Sequence, residues 1–151
     1  VHCVGPTGER TIPVIDLHRL PGDAPERDTV LERDELIVAV EVPALAFSER
    51  SAYRKVRERA SFSFALVSVA VAVDVADGRV RDVRIAFGGL AHKPWRAVAA
   101  EEALRGEAAE EAAFARAAEA ELAHAQPLRD NTYKIPLAKA TLVQTLAELL
   151  P

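Results

Sequence analysis

The run Tyr53-Arg54-Lys55-Val56-Arg57-Glu58-Arg59 places four cations within six residues. Read as a strand, its period-2 alternation puts Lys55, Arg57 and Arg59 on one face and Glu58 on the other. Such a face repels itself unless something anionic covers it, and a phosphate or a flavin has that chemistry. The competing reading is an edge strand guarded by charge against pairing with another chain. The residues alone leave both readings open.

Other chemistry is sparse. His2, His18, His92 and His124 are scattered without HxxxH or HxH spacing, which gives a metal site little support. No P-loop, GxSxG or GxGxxG motif is present, and Gly88-Gly89 reads as a tight turn between sheet and helix. The single cysteine, Cys3, excludes a disulfide framework and a CxxC cage within this chain, and it reads as a strand residue. The acidic run from Glu101 to Glu121 reads as the solvated face of helices. Trp95 reads as a core anchor at a helix start.

The elements that must position the basic run follow from periodicity. Val1–Val4, Arg10–Val14 and Glu35–Pro43 read as strands, with an exposed Pro/Gly/Asp-rich loop at Leu20–Pro25. Val67, Val69, Val71, Val73 and Val75 alternate with Leu66, Ser68, Ala70, Ala72 and Asp74, and Val80–Phe87 returns to make a hairpin. A three-residue loop, Ala76-Asp77-Gly78, predicts Val71 opposite Val83 and Val69 opposite Ile85, with one apolar face in both strands. A two-residue loop would set Val71 against Arg84. Helices are predicted over Trp95–Leu104, over Glu107 to about Ala125, and over a last segment with Pro136 in its first turn and a stripe of Leu142, Leu146 and Leu149. Strands first and helices after give an α+β class: an antiparallel three- to four-stranded sheet packed on three C-terminal helices.

At 151 residues and half apolar, the chain has the composition of a soluble globular domain large enough for a real core. The net charge of −4 argues against nucleic acid, and no apolar stretch has the length of a membrane span. The start at Val1, without a methionine or a signal-like segment, suggests a piece of something longer.

Four segments carry a resemblance to a known family. They are Leu20–Thr29, Tyr53–Phe62, Ala86–Ala97 (AFGGLAHKPWRA) and Asp130–Ile135 (DNTYKI). Together they resemble the C-terminal half of the FAD-binding medium subunit of xanthine dehydrogenase/aldehyde oxidoreductase-type molybdenum hydroxylases. The resemblance implies that residues 1–45 are the tail of an upstream FAD-binding subdomain and that 46–151 form a domain like the C-terminal one of carbon monoxide dehydrogenase flavoproteins. It implies an oxidoreductase component in which electrons pass from molybdenum through 2Fe–2S clusters to FAD and on to an acceptor. The implied partners are an iron–sulfur small subunit and a large subunit holding molybdopterin, in the cytoplasm or exported to the periplasm with a partner. Onto this chain it carries Ile37 as an apolar contact to FAD and Lys55 as the cation approaching the flavin. Arg57 and Arg59 become contacts to a phosphate or a partner subunit. The Ser61-Phe62 segment departs from the eukaryotic enzymes, which are acidic there. The family's glycine-rich pyrophosphate loops are absent from these residues, so the piece alone is expected to be inactive, and its exposed Val1–Leu20 strands and missing partners favour self-association. The alternative is a noncatalytic dimerisation or subunit-interaction domain of the same architecture.

Overall fold

The computed structural model describes residues 1–150 and divides into two compact units, Val1–Leu45 with His92–Pro94, and Ala46–Ala91 with Trp95–Pro151. No helix among the described residues is long and apolar enough to cross a membrane. The class is α+β, as the order of elements implied.

In the first unit, β1 (His2–Gly5) lies between β2 (Gly8–Thr11) and β3 (Leu36–Ala39), antiparallel to both. A single-turn helix, α1 (Val14–Leu17), follows β2. Its core is small: Val1, Cys3, Ile12 and Leu17, with Val30 and Leu31 against them. Cys3 is a buried strand residue, as expected. Arg10 on β2 is held by Glu35 through paired bonds of 2.6 and 2.7 Å.

The second unit is an antiparallel sheet ordered β4 (Ser51–Val56), β5 (Val67–Ala76), β6 (Arg79–Gly88), β7 (Trp95–Arg96). Helices α2 (Val98–Leu104), α3 (Glu111–Leu122) and α4 (Lys134–Glu148) complete its core. Val67, Val69, Val71 and Val73 from β5 and Val83, Ile85 and Phe87 from β6 are buried with Leu104, Phe114, Leu122, Leu142 and Leu146 from the helices. The alternate residues of β5 on the other face are small: Ser68, Ala70 and Ala72.

The hairpin register differs from expectation. The turn is the two-residue one, with Asp77 and Gly78 both at positive φ (53° and 69°), the backbone of a type I′ hairpin. A shift between Asp74 and Val75 then leaves Arg81 as an extra residue on β6, and Val71 pairs with Ile85, Val73 with Val83. This bulge restores the alignment of apolar faces that the longer loop was invoked to provide. Arg81 turns its guanidinium onto Asp74 at 2.7–2.9 Å.

Two further expectations are corrected. Trp95 does not open a helix: Trp95 and Arg96 pair with Phe87 and Ala86, and α2 starts at Val98. The Trp95 indole N–H donates to Glu121 at 2.7 Å, and the other oxygen of that carboxylate accepts from the Ala100 N–H at 3.0 Å. Glu121 of α3 thus satisfies a first-turn donor of α2, which has no side-chain cap of its own. The expected helix from Glu107 begins only at Glu111, because Glu107 and Ala109 bond to the backbone of Val80 and Gly78 and lie along β6 instead.

Candidate functional site

β4 is an edge strand, paired only with β5. Its pairing ends at Val56 opposite Val67, and the Leu66 N–H closes the ladder on the Val56 carbonyl at 2.8 Å. β5 offers no partner beyond Val67, so the chain leaves the sheet at Arg57. The basic run is therefore not one strand. Lys55 is on β4, whereas Arg57 and Arg59 lie in the connection that follows, and their side chains share no strand face.

Within β4, neighbouring cations go to opposite sides. Arg54 sits across from buried Val69, and its guanidinium donates to Glu148 at the end of α4, so it belongs to the helix side. Lys55 sits across from Ser68 and shares the uncovered side with Ser51 and Tyr53. On that side a depression of about 400 Å3 has a floor of Ala70, Ala72 and Ala86 and walls of Tyr53, Arg84 and Arg96. Both arginines are already committed. Arg84 donates to Asp82, which also accepts from Arg105 at 3.1 Å. Arg96 donates to Glu101, a carboxylate only 3% exposed that also accepts the Ile85 N–H at 2.7 Å. The Arg84 and Arg105 guanidiniums hold the Asp82 carboxyl down at about 2.

The connection after β4 has the more unusual geometry. Arg59 donates through Nε and NH2 to the Phe62 carbonyl, and Phe62 itself has φ 48°. A left-handed phenylalanine costs on the order of 1–2 kcal/mol, which the guanidinium contact partly offsets. Phe62 and Phe64 are 96% and 97% exposed. Among the described residues, Lys55, Arg57 and Arg59 make no ion pair, so positive charge and bare aromatic rings occupy one stretch of ten residues. Its base is fixed by Gly88 and Gly89. A Cβ on Gly88 would meet Ser68 Oγ at 2.6 Å, and Gly89, at φ 73°, lies against the Ala65 and Leu66 carbonyls. Lys134 donates to the Gly89 carbonyl at 2.7 Å. The glycine pair is thus a close-approach turn, structural as expected, although it leads from β6 to β7 and not from sheet to helix.

Ile37, the remaining site residue, is on β3 of the first unit opposite Cys3, about half exposed. The four histidines build nothing: no group of three or more metal-ligating side chains occurs among the described residues. Phe62 and Phe64 carry no chemical signature of a site in the sequence, since phenylalanine just ahead of an apolar strand is ordinary core composition. The available signal was their interruption by Ser61 and Ser63, which breaks the apolar run before β5 begins. The arrangement suits holding a planar anion, with cations for charge and aromatic faces for stacking.

The CO dehydrogenase flavoprotein C-terminal domain matches residues 51–149. The aldehyde oxidoreductase FAD-binding subunit PaoB of Escherichia coli (strain K12) is 43% identical over 151 residues, covering 98% of this chain and 43% of that protein. The glyceraldehyde dehydrogenase medium chain of Sulfolobus acidocaldarius is 33% identical over 95 residues, covering 63% of this chain and 31% of that one. Among solved structures, carbon monoxide dehydrogenase from Hydrogenophaga pseudoflava superposes with a TM-score of 0.81 at 32% identity, covering 97% of this chain and 50% of that one. Quinoline 2-oxidoreductase from Pseudomonas putida 86 gives 0.85 at 25% identity, covering 98% and 50%. The chain therefore spans about half the length of these proteins or less.

Proposed function

Because the chain belongs to the CO dehydrogenase flavoprotein C-terminal domain family, we propose that it is the C-terminal part of an FAD-binding subunit in a molybdenum-containing oxidoreductase. In this reading residues 46–151 are the family domain and residues 1–45 the tail of an FAD-binding subdomain. The partners are an iron–sulfur subunit and a molybdopterin subunit. The observation that carries it is the stretch from Lys55 to Phe64, ten residues that hold three cations without an ion pair and two bare phenylalanines, with Arg59 bonded to the Phe62 carbonyl.

The donor set fits FAD. The group is a planar ring system on a pyrophosphate, and when bound it accepts and passes on electrons. Lys55, on the uncovered side of β4, supplies a positive charge that favours electron uptake beside it. Phe62 and Phe64 offer faces on which a ring stacks, each worth about 1.5–3 kcal/mol on full burial, and they exclude water. Arg57 offers charge-assisted donors to a phosphate. Arg59 spends its Nε and one NH2 on holding the Phe62 carbonyl, so its main part is to position that residue. Ile37 supplies an apolar contact.

Lys55→Ala, made in the longer protein, tests the reading. FAD affinity is expected to fall about tenfold, near 1.4 kcal/mol, and flavin reduction to slow. Unchanged affinity and unchanged reduction rate would remove Lys55 from the site. A longer protein that stays colourless after FAD addition would remove the flavin reading altogether and leave the subunit-interaction domain.

A further inference from the structure

We infer that Lys134 is a positioning residue for the stretch from Lys55 to Phe64. From the start of α4 it anchors the Gly88-Gly89 turn, and through that turn it sets FAD affinity without touching the group. The inference deepens the flavin reading of that stretch and rests on it.

The stretch leaves and rejoins the sheet at one point. The Leu66 N–H donates to the Val56 carbonyl at 2.8 Å, and residues 57–65 loop out between them. Arg59 fixes the middle of the loop through the Phe62 carbonyl. Its returning end rests on the glycine turn. Gly89, at φ 73°, lies so near that a Cβ there would stand 3.1 Å from the Ala65 carbonyl oxygen and 3.2 Å from that of Leu66. On Gly88 a Cβ would meet Ser68 Oγ at 2.6 Å, so the turn has no slack toward β5. Where the turn stands, Ala65 and Leu66 must follow.

Lys134 holds the same turn from the helix side. Its Nζ donates to the Gly89 carbonyl at 2.7 Å. The lysine is itself firmly based. Its backbone N–H donates to the Asn131 carbonyl at 3.0 Å, and the Asn131 side chain accepts the Leu128 N–H at 2.6 Å. Its neighbour Ile135 packs against the core. The segments Ala86–Ala97 and Asp130–Ile135, both singled out in the sequence, therefore meet at this bond.

Two features separate Lys134 from an ordinary surface cation. It stands in the first turn of α4, where the helix dipole disfavours positive charge, and no acidic residue shares that turn. It also forms no ion pair among the described residues, whereas Lys139 on the same helix pairs with Glu119. A cation kept at the wrong helix end and bonded to a carbonyl alone breaks a local rule, and such departures concentrate at functional sites.

Lys134→Met and Lys134→Arg, made in the longer protein, test this. Methionine keeps an apolar stem beside Leu90, Trp95 and Ile135 but loses the donor, whereas arginine keeps donors. In FAD-free protein carrying Lys134→Met, the Leu66 amide is expected to exchange at least about tenfold faster, while Val69–Val73 keep their protection. The FAD dissociation constant is expected to rise about tenfold, and Lys134→Arg to bring it back within about threefold of wild type. An unchanged Leu66 amide in Lys134→Met overturns the inference, whatever the melting temperature does. So does a loss that Lys134→Arg fails to restore. Lys55→Ala on the same titration keeps the two readings apart. If it weakens FAD binding and Lys134→Met does not, the positioning role fails alone. If neither weakens it while Leu66 loosens, the flavin reading fails and the anchor on the stretch stands.

Discussion

β5 and β3 are both written in small and β-branched apolar residues, yet one is covered and the other bare. In β5 the valines at 67, 69, 71 and 73 go under the helices, and the intervening Ser68, Ala70 and Ala72 are small, with Ala70 exposed and Ser68 and Ala72 largely buried among their neighbours. β3 has no such division: a bulge leaves Val38 as an extra residue between Ile37 and Ala39, and Leu36, Ile37 and Val38 are all exposed. Alternation marks a strand with one partner layer, whereas its absence marks a strand that needs cover on both. The stretch from Lys55 to Phe64 belongs with β3 in this comparison, since its rings are more exposed than the other large apolar side chains among the described residues.

The contrast breaks most visibly under truncation. Phe114→Ala empties a fully buried ring position among the helices and is expected to cost about 3–5 kcal/mol, read by denaturant unfolding. Val38→Ala removes exposed surface and is expected to cost less than about 0.5 kcal/mol in the 151-residue chain. In the longer protein the β3 substitution should rise to about 1–2 kcal/mol if that strand is covered there. Equal effects of Val38→Ala in both proteins would erase the distinction between the two strands.

Removing the buried carboxylate comes next. Glu101→Ala strands the Ile85 N–H and unpairs Arg96, at an expected cost of about 3 kcal/mol. Glu101→Gln keeps an acceptor for Ile85 and should recover part of that loss. If the two variants unfold alike, the charge rather than the hydrogen bond decides the role of this residue.

The smallest effect concerns acid. Asp82 is held at about 2 against an ordinary 3.8, chiefly by the Arg84 hydrogen bond. A depressed carboxylate contributes stability that is fully present above about pH 4 and lost as pH falls through about 2. With the side chain partly exposed and screened, that contribution is under about 1 kcal/mol. The melting-temperature gap between wild type and Asp82→Asn should therefore shrink from pH 4 to pH 2. A gap that widens in acid would reverse the sign.

Much of this was legible in the sequence, because period-2 and 3.6-residue patterns report burial directly. The valine alternation of β5 and the stripes Phe114-Ala118-Leu122 and Leu142-Leu146 all went to the core. What failed depended on backbone detail that patterns do not encode. The bulge at Arg81 kept the apolar faces aligned but moved every pair, so face was readable and register was not. Arg57 and Arg59 alternate with Lys55 on paper, yet a strand continues only while a neighbour offers partners, and β5 begins at Val67. Trp95 and Arg96 have helical neighbours in sequence, but their backbone pairs with β6. The bareness of Phe62 and Phe64 was invisible, since two phenylalanines before a valine run look like its beginning.

The central claim is that the positive charge from Lys55 to Arg59 serves a flavin rather than merely guarding an edge strand. The most direct measurement is an FAD titration of the longer protein carrying Lys55→Gln, Arg57→Gln and Arg59→Gln. Its control carries Arg81→Gln, Arg116→Gln and Arg129→Gln, which removes the same charge elsewhere on the surface. The account predicts a dissociation constant raised about 100-fold in the first, near 2.7 kcal/mol, and within about threefold of wild type in the control. Equal constants in the two variants would contradict it and return the cluster to the role of an edge guard.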